Sequence, residues 1–183
     1  MTVLEAIKKR RSIRKFEQKP VSHADLEVLI DAARYAASGA NMQPLKFAIM
    51  ENYEEVYPCT KWAGYLTEWN PAENERPLSY IAVLGDTSIK KTFEPDAGAA
   101  VTTMMLLAEE MGLATCWLGA LDKVKLKEIL GTEYEVLYLL AVGHPAQQSR
   151  VTDIKDGSIK YYEDENGVIN VPKRSLDEVL VNS

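Results

Sequence analysis

The stretch "DAGAAVTTMMLLAEEMGLATCWLGA", Asp96 to Ala120, decides how the rest of the chain is read. Pro95 in a first-turn position and Asp96 near the start open a helix that is apolar nearly all round until Glu109 and Glu110, with Gly112 as its stop. That pattern predicts a central, buried helix. Its small residues Ala97, Gly98, Ala99 and Ala100 suit close approach by another backbone. "ATCWLGAL" follows as a strand that breaks at Gly119.

Downstream, Asp122 caps a helix Lys123 to Leu130 closed by Gly131, and "EVLYLLAVG" makes a buried strand. Upstream, "YIAVLGD" is a continuous apolar run with β-branched residues, suited to a strand buried on both faces and ending at Gly85. Helices thus alternate with apolar strands, and spacing alone leans toward an α/β alternation.

In the N-terminal part, Thr2 with Glu5 forms a capping box for a helix running from about Val3 to the basic cluster. Ser22 and Asp25 open a second helix whose Leu26, Leu29, Ile30, Ala33 and Ala37 recur at helical spacing, ending near Ser38 and Gly39. The loop "SGANMQP" exposes Ser38, Asn41 and Gln43 before a β-like run Phe47 to Met50. From Asn52 to Pro77 the pattern is weak, and Trp62, Tyr65 and Trp69 read as core aromatics by default. In the tail, "IKYYEDENGVINV" reads as a hairpin turning at Asn166-Gly167, and "PKRSLDEVL" as a terminal turn or helix.

The 183 residues fit one domain, residues 1 to 183, with no repeat and no dividing linker. A net charge of −6 and a pI of about 5.1 argue against a general nucleic-acid binder. Cys59 and Cys116 stand far apart without ligand spacing, so they read as buried free thiols rather than a disulfide or a metal site. The longest nearly apolar stretch, Ala97 to Ala108, is too short to span a bilayer, and the N-terminus lacks the order of a secretory signal, so a cytoplasmic location without membrane contact is expected.

Phosphate-loop, dinucleotide-binding, α/β-hydrolase and zinc-protease motifs are missing. His23 and His144 read as structural, and no side chain is singled out as catalytic or metal-binding. What remains is a demand for anions. Six cations lie within the eight residues Lys8 to Lys15, and Lys173 and Arg174 stand near the end. Taken alone, the early cluster is a dipole-matched helix end, each such pairing being worth about 0.3–1 kcal/mol. Arginines also hold a phosphate bidentately, and a desolvated phosphate dianion needs several such partners.

The order of "RRSIRKF", "SGANMQP", the Asp96–Ala120 stretch and "AVGHP" resembles that of the nitroreductase family of flavoproteins over most of the chain. The resemblance implies an α+β fold, a mostly antiparallel sheet flanked by helices with a central buried helix, working as an intertwined homodimer. It further implies one FMN in each of two interface sites. Arg10, Arg11 and Ser12, joined by Lys173 or Arg174, resemble the family's ligands of the FMN phosphate and ribityl chain. Arg14 matches the cation near N1 and the C2 carbonyl of the ring. Ser38, Gly39 and Asn41 fall where family members contact the flavin, the first two from the neighbouring subunit. Trp117, Leu118, Gly119 and Ala120 match the segment on the opposite ring face, with the Gly119 amide near N5. Glu94 stands where some members have a ring-contacting Gln.

The activity so implied is NAD(P)H oxidation by ping-pong hydride transfer through flavin N5, NADH or NADPH being the donor and a small electron-poor molecule such as a nitroaromatic or quinone the acceptor. An alternative from another class is a protein that stores, senses or degrades FMN without turning over an acceptor.

Overall fold

The computed structural model describes residues 1–62 and 70–181. The chain divides into two compact units, Met1–Ala146 and Gln147–Ser183. In chain order the first holds α1 (Val3–Lys9), α2 (His23–Arg34), β1 (Leu45–Met50), α3 (Tyr53–Val56), β2 (Ser79–Gly85), α4 (Glu94–Glu110), β3 (Ala114–Leu118), α5 (Lys123–Leu130) and β4 (Glu135–Gly143). The second holds β5 (Ser149–Asp153), β6 (Tyr162–Glu163), β7 (Ile169–Lys173) and α6 (Leu176–Val179).

The main sheet has the order β1-β2-β4-β3, and every neighbouring pair is antiparallel. The protein is therefore α+β, and the α/β alternation suggested by spacing is corrected. The reason lies in β4. It inserts between β2 and β3 and runs against both, so these two strands, joined by α4, point the same way without pairing. A helix carried over a sheet between like-directed strands leaves the same trace along the chain whether or not the strands touch.

Both faces of this sheet are covered. Ile81, Val83, Leu140 and Val142 pack under α2 and α4 with Leu26, Leu29, Val101 and Met104. The alternate residues Tyr80, Ala82, Leu84, Leu139 and Ala141 face a second cluster with Phe16 and Leu126. Burial on both faces is why these strands read as unbroken apolar runs.

α4 buries Ala97, Ala100, Val101, Met104, Met105 and Ala108, while Gly98, Ala99, Thr103 and Leu106 are half-exposed and Thr102 is exposed. The expectation of a helix buried all round is thus met on one face within a single chain. α1 carries its capping box as expected, Thr2 Oγ1 accepting from the Glu5 N–H and Glu5 from the Thr2 N–H. α2 ends at Arg34 rather than near Ser38, because Tyr35 and Ala36 turn back with tighter i→i−3 bonds and Ser38 is drawn into extended backbone. Trp62 is core: it lies 6.2 Å from the Tyr57 ring and donates from Nε1 to Thr60 Oγ1 at 2.9 Å. Tyr65 and Trp69 lie outside the described residues.

In the second unit, β6 and β7 form the expected antiparallel hairpin, with Gly167 at φ +74° in its turn. β5 adds to β7 in parallel. The Asp164 carboxylate gathers N–H groups of Asn166 and Val168 and the side chains of Asn170 and Arg150, which pins the turn. Among the described residues no helix is long and apolar enough to cross a membrane.

Candidate functional site

The cationic segment begins where α1 stops. The Arg10 N–H still closes on the Ala6 carbonyl at 2.8 Å, but Arg10 itself leaves helical geometry at φ −54°, ψ 127°. The chain then runs extended beside the edge strand β3. Ser12 pairs with Thr115 in a parallel bridge, and the Ile13 N–H donates to the Thr115 carbonyl at 3.0 Å. Buried Ile13 and Phe16 fasten this added strand to the core, and the Phe16 N–H donates to the Glu75 carbonyl at 2.9 Å. Lys15 pairs with Glu75 at 3.1 Å, and the Glu17 N–H reaches the His144 carbonyl at 2.9 Å.

Arg10, Ser12 and Arg14 are half-buried, and Arg11 is only 9% exposed. The Arg11 guanidinium donates to the carbonyls of Lys8 and Arg10, closing the end of α1, while its Nε is buried without a hydrogen-bond partner among the described residues. Among the described residues no ion pair involves Arg10 or Arg11, since Glu109 is taken by Lys9 at 3.1 Å. Burial holds the Arg10 guanidinium below its ordinary pKa against the opposing charge of Glu109. The same burial lowers Arg11, helped by Arg10 and resisted by Glu109.

The β3 end lies next to this segment in the sheet. Trp117 is half-buried and meets Tyr138 of β4 edge-to-face, ring centroids 5.1 Å apart at 89°. Leu118 is 5% exposed within the core cluster on the other face, so its main chain is what it can offer a ligand. Gly119 and Ala120 are exposed, and the Ala120 carbonyl accepts from Lys61 N–H at 3.0 Å. A Cβ at Gly119 would stand 3.6 Å from the Tyr138 ring. Tyr138 is a candidate that sequence reasoning missed, because an unbroken apolar run conceals which of its members faces a site.

The Ser38–Gln43 loop is built on a different element pair. Ala40, Asn41 and Gln43 adopt φ of +50°, +55° and +50°. Left-handed backbone costs about 1–2 kcal/mol at residues such as Ala and Gln, and less at Asn. Ser38 Oγ donates to Asp96 Oδ1 at 2.6 Å, and the Gly39 N–H reaches the same oxygen at 3.2 Å. Asp96 Oδ2 is 2.5 Å from Lys90 Nζ. Asp96 is 3% exposed; burial alone would raise its carboxyl pKa, but Lys90, Ser38 and Gly39 outweigh it and hold the value below the ordinary range. Neither Asp96 nor Lys90 was singled out for a site from sequence. Asp96 reads as an ordinary acidic residue of a first turn, and Ser38 stands 58 positions away.

A groove of about 950 Å³ runs between α2 and β1 past Ser38, Gln43 and Asp96, floored by Ile30, Leu45 and Phe47. Arg10 to Arg14 and Trp117 to Ala120 do not line it. The chain thus brings the cationic segment to the β3 edge, and separately builds the loop over α4. Glu94 is exposed and accepts from the Phe93 N–H at 3.1 Å. Lys173 and Arg174 belong to the second unit; both are exposed, and Arg174 pairs with Glu178 at 3.3 Å. Among the described residues no group of His, Cys, Asp and Glu is gathered as metal ligands.

The Nitroreductase family model matches residues 7–83 and 76–144. An NADPH-flavin oxidoreductase of Vibrio harveyi is 25% identical over 97% of this chain and 80% of its own length. An FMN reductase (NADPH) of Bacillus subtilis is 28% identical over 80% of this chain and 67% of its own. A structure from Desulfovibrio desulfuricans solved in complex with FMN superposes with a TM-score of 0.72 at 25% identity, covering 100% of this chain and 97% of that one.

Proposed function

Because the chain belongs to the Nitroreductase family, we propose that it is an FMN-dependent oxidoreductase that takes reducing equivalents from NADH or NADPH and passes them to a small electron-poor acceptor such as a nitroaromatic or quinone. The observation that carries this reading is the pair of Arg10, half-buried, and Arg11, buried, neither of them in an ion pair among the described residues. Burying a cation is expensive, and Glu109, already paired with Lys9, offsets that cost only in part, so the pair fits an arriving dianion. The FMN phosphate has the charge and the oxygen geometry for it.

In this reading Arg10, Arg11 and Ser12 hold the phosphate end, with Lys173 or Arg174 as a further candidate ligand. Arg14 is the cation assigned to the ring, where it favours negative charge on the bound flavin. Trp117, the main chain of Leu118, Gly119 and Ala120, and Asn41 are the ring contacts, together with Ser38 and Gly39 of the partner subunit. Trp117 keeps its plane by its edge-to-face contact with Tyr138. FMN, when bound, supplies the hydride-accepting and hydride-donating ring; the chain's residues bind and orient it and keep water partly away.

The partner is a second copy of the chain, and residues 1 to 183 act as one functional domain. α1 supports this, since its Val3, Leu4 and Ile7 are 72%, 59% and 51% exposed, an apolar face that a single chain leaves uncovered.

Purified protein loaded with FMN is expected to lose its visible flavin absorption anaerobically on addition of NADH or NADPH, and to regain it with a quinone. A protein that binds FMN but is reduced by neither nucleotide overturns the reductase reading. Loss of FMN itself during aerobic incubation with a reductant would favour a flavin-degrading role instead.

A further inference from the structure

Three residues of one short loop stand in left-handed backbone, and two of them, Ala40 and Gln43, have no intrinsic preference for it. Such a conformation persists only where its surroundings over-determine it. The surroundings here converge on one carboxylate. Asp96 Oδ1 accepts from the Ser38 hydroxyl at 2.6 Å and from the Gly39 N–H at 3.2 Å, which fastens the entry of the loop to the first turn of α4. The Ser38 oxygen in turn accepts from the Gln43 N–H at 2.9 Å, which fastens the exit to the entry. Lys90 Nζ, 2.5 Å from Oδ2, neutralises the buried charge and sits where a Cβ on Gly39 would come within 3.4 Å of it.

We propose that Asp96, paired with Lys90, is a positioning residue: it locks Ser38–Gln43 in its left-handed shape and so presents Gly39, Ala40 and Asn41 to the flavin in a single conformation. Those three residues are exposed, while the hydroxyl of Ser38 is already committed as both donor and acceptor. A loop shaped before the ligand arrives loses less conformational freedom on binding than one that must be ordered by it. The contact with flavin rests on the proposed function. The lock itself does not.

The test separates the two. In the FMN-free protein, amide hydrogen exchange at Gly39 and Gln43 reports the lock directly. D96N keeps the volume but loses the charge, and K90M removes the counter-ion while K90R restores it. D96N and K90M are each expected to speed exchange at both amides by roughly tenfold or more, with K90R close to the parent protein. In the loaded protein the same two variants are expected to weaken FMN binding by about tenfold and to shift its reduction potential. Unchanged exchange at Gly39 and Gln43 in both variants overturns the lock. Faster exchange with unaltered FMN affinity and potential overturns the positioning role and leaves Asp96 a structural residue. Failure of the parent protein to bind FMN overturns the proposed function, and the exchange measurements still judge the lock.

Discussion

The backbone N–H of Ile13 donates to the carbonyl of Thr115 at 3.0 Å, and this bond lays the cationic segment along β3 as an added strand. It covers a strand edge that would otherwise be open, and it sets arginines beside the backbone that leads to Gly119. Half-burial of Arg10 and Arg14 follows from this placement rather than from any preference of arginine.

The phosphate role of Arg10 is tested by comparing two ligands that differ only in that group. A charge-assisted hydrogen bond contributes about 1.5–3 kcal/mol, so Arg10→Ala is expected to weaken FMN binding by roughly ten- to a hundredfold. Riboflavin lacks the phosphate and should bind the variant about as it binds the parent. Equal losses for both ligands, measured by fluorescence quenching, would show that Arg10 serves the ring or the fold instead.

Gly143 supports the same segment from below. A Cβ there would come within 2.7 Å of the Phe16 ring, and Phe16 is 1% exposed. Gly143→Ala therefore forces the ring, and the strand carrying it, away from β4 at a cost of about 1–3 kcal/mol. Urea denaturation should show that loss, and FMN affinity should fall with it because Phe16 lies on the same added strand as Arg14, which the main-chain bonds of Lys15 to Ala146 and of Phe16 to Glu75 hold in place. An unaltered midpoint would mean that Phe16 can swing clear.

Local signals were legible in the sequence, and long-range ones were not. The capping box of α1, the Asp122 cap and Gly131 stop of α5, and the hairpin at Asn166-Gly167 all appear where the residue types put them. Each depends on atoms a few positions apart. Antiparallel pairing of β3 with β4 depends on which strand lies between two others, and no local pattern encodes it. For the site, the clustering of Arg10, Arg11, Ser12 and Arg14 was visible, whereas their docking on Thr115 was not. Asp96 shows the same limit from the other side: its position in a first turn supplied a complete local explanation, which hid its bonds to Ser38 and Lys90.

Both thiols are expected to be silent in the folded protein. Cys116 is 3% exposed, and burial pushes its pKa up to about 11, with Arg14 pulling weakly the other way. Cys59 is 5% exposed and is raised by burial and by Asp122, against Lys125. Thiolate is the reactive form, so a disulfide reagent at neutral pH should label neither residue until urea unfolds the chain. Rapid labelling under native conditions would show that the core opens around β3 or α3.

Asp96 also gives folding a dependence on acid whose sign is fixed. Its folded-state pKa is depressed, so its stabilisation is complete above the unfolded carboxylate value of about 3.9 and fades as pH falls from there through the lower folded value. Asp96→Asn imitates the protonated side chain. The variant should be less stable than the parent by about 1–3 kcal/mol near neutral pH, and the difference should shrink at pH values below about 4. His23, Glu27, Asp31, Arg34 and Lys46 line the same groove and are common to both proteins, so their contributions cancel in the comparison. Urea midpoints measured for the pair at neutral and at acid pH decide it, and a gap that stays constant on acidification would mean the Lys90–Asp96 charge pair contributes nothing to the fold.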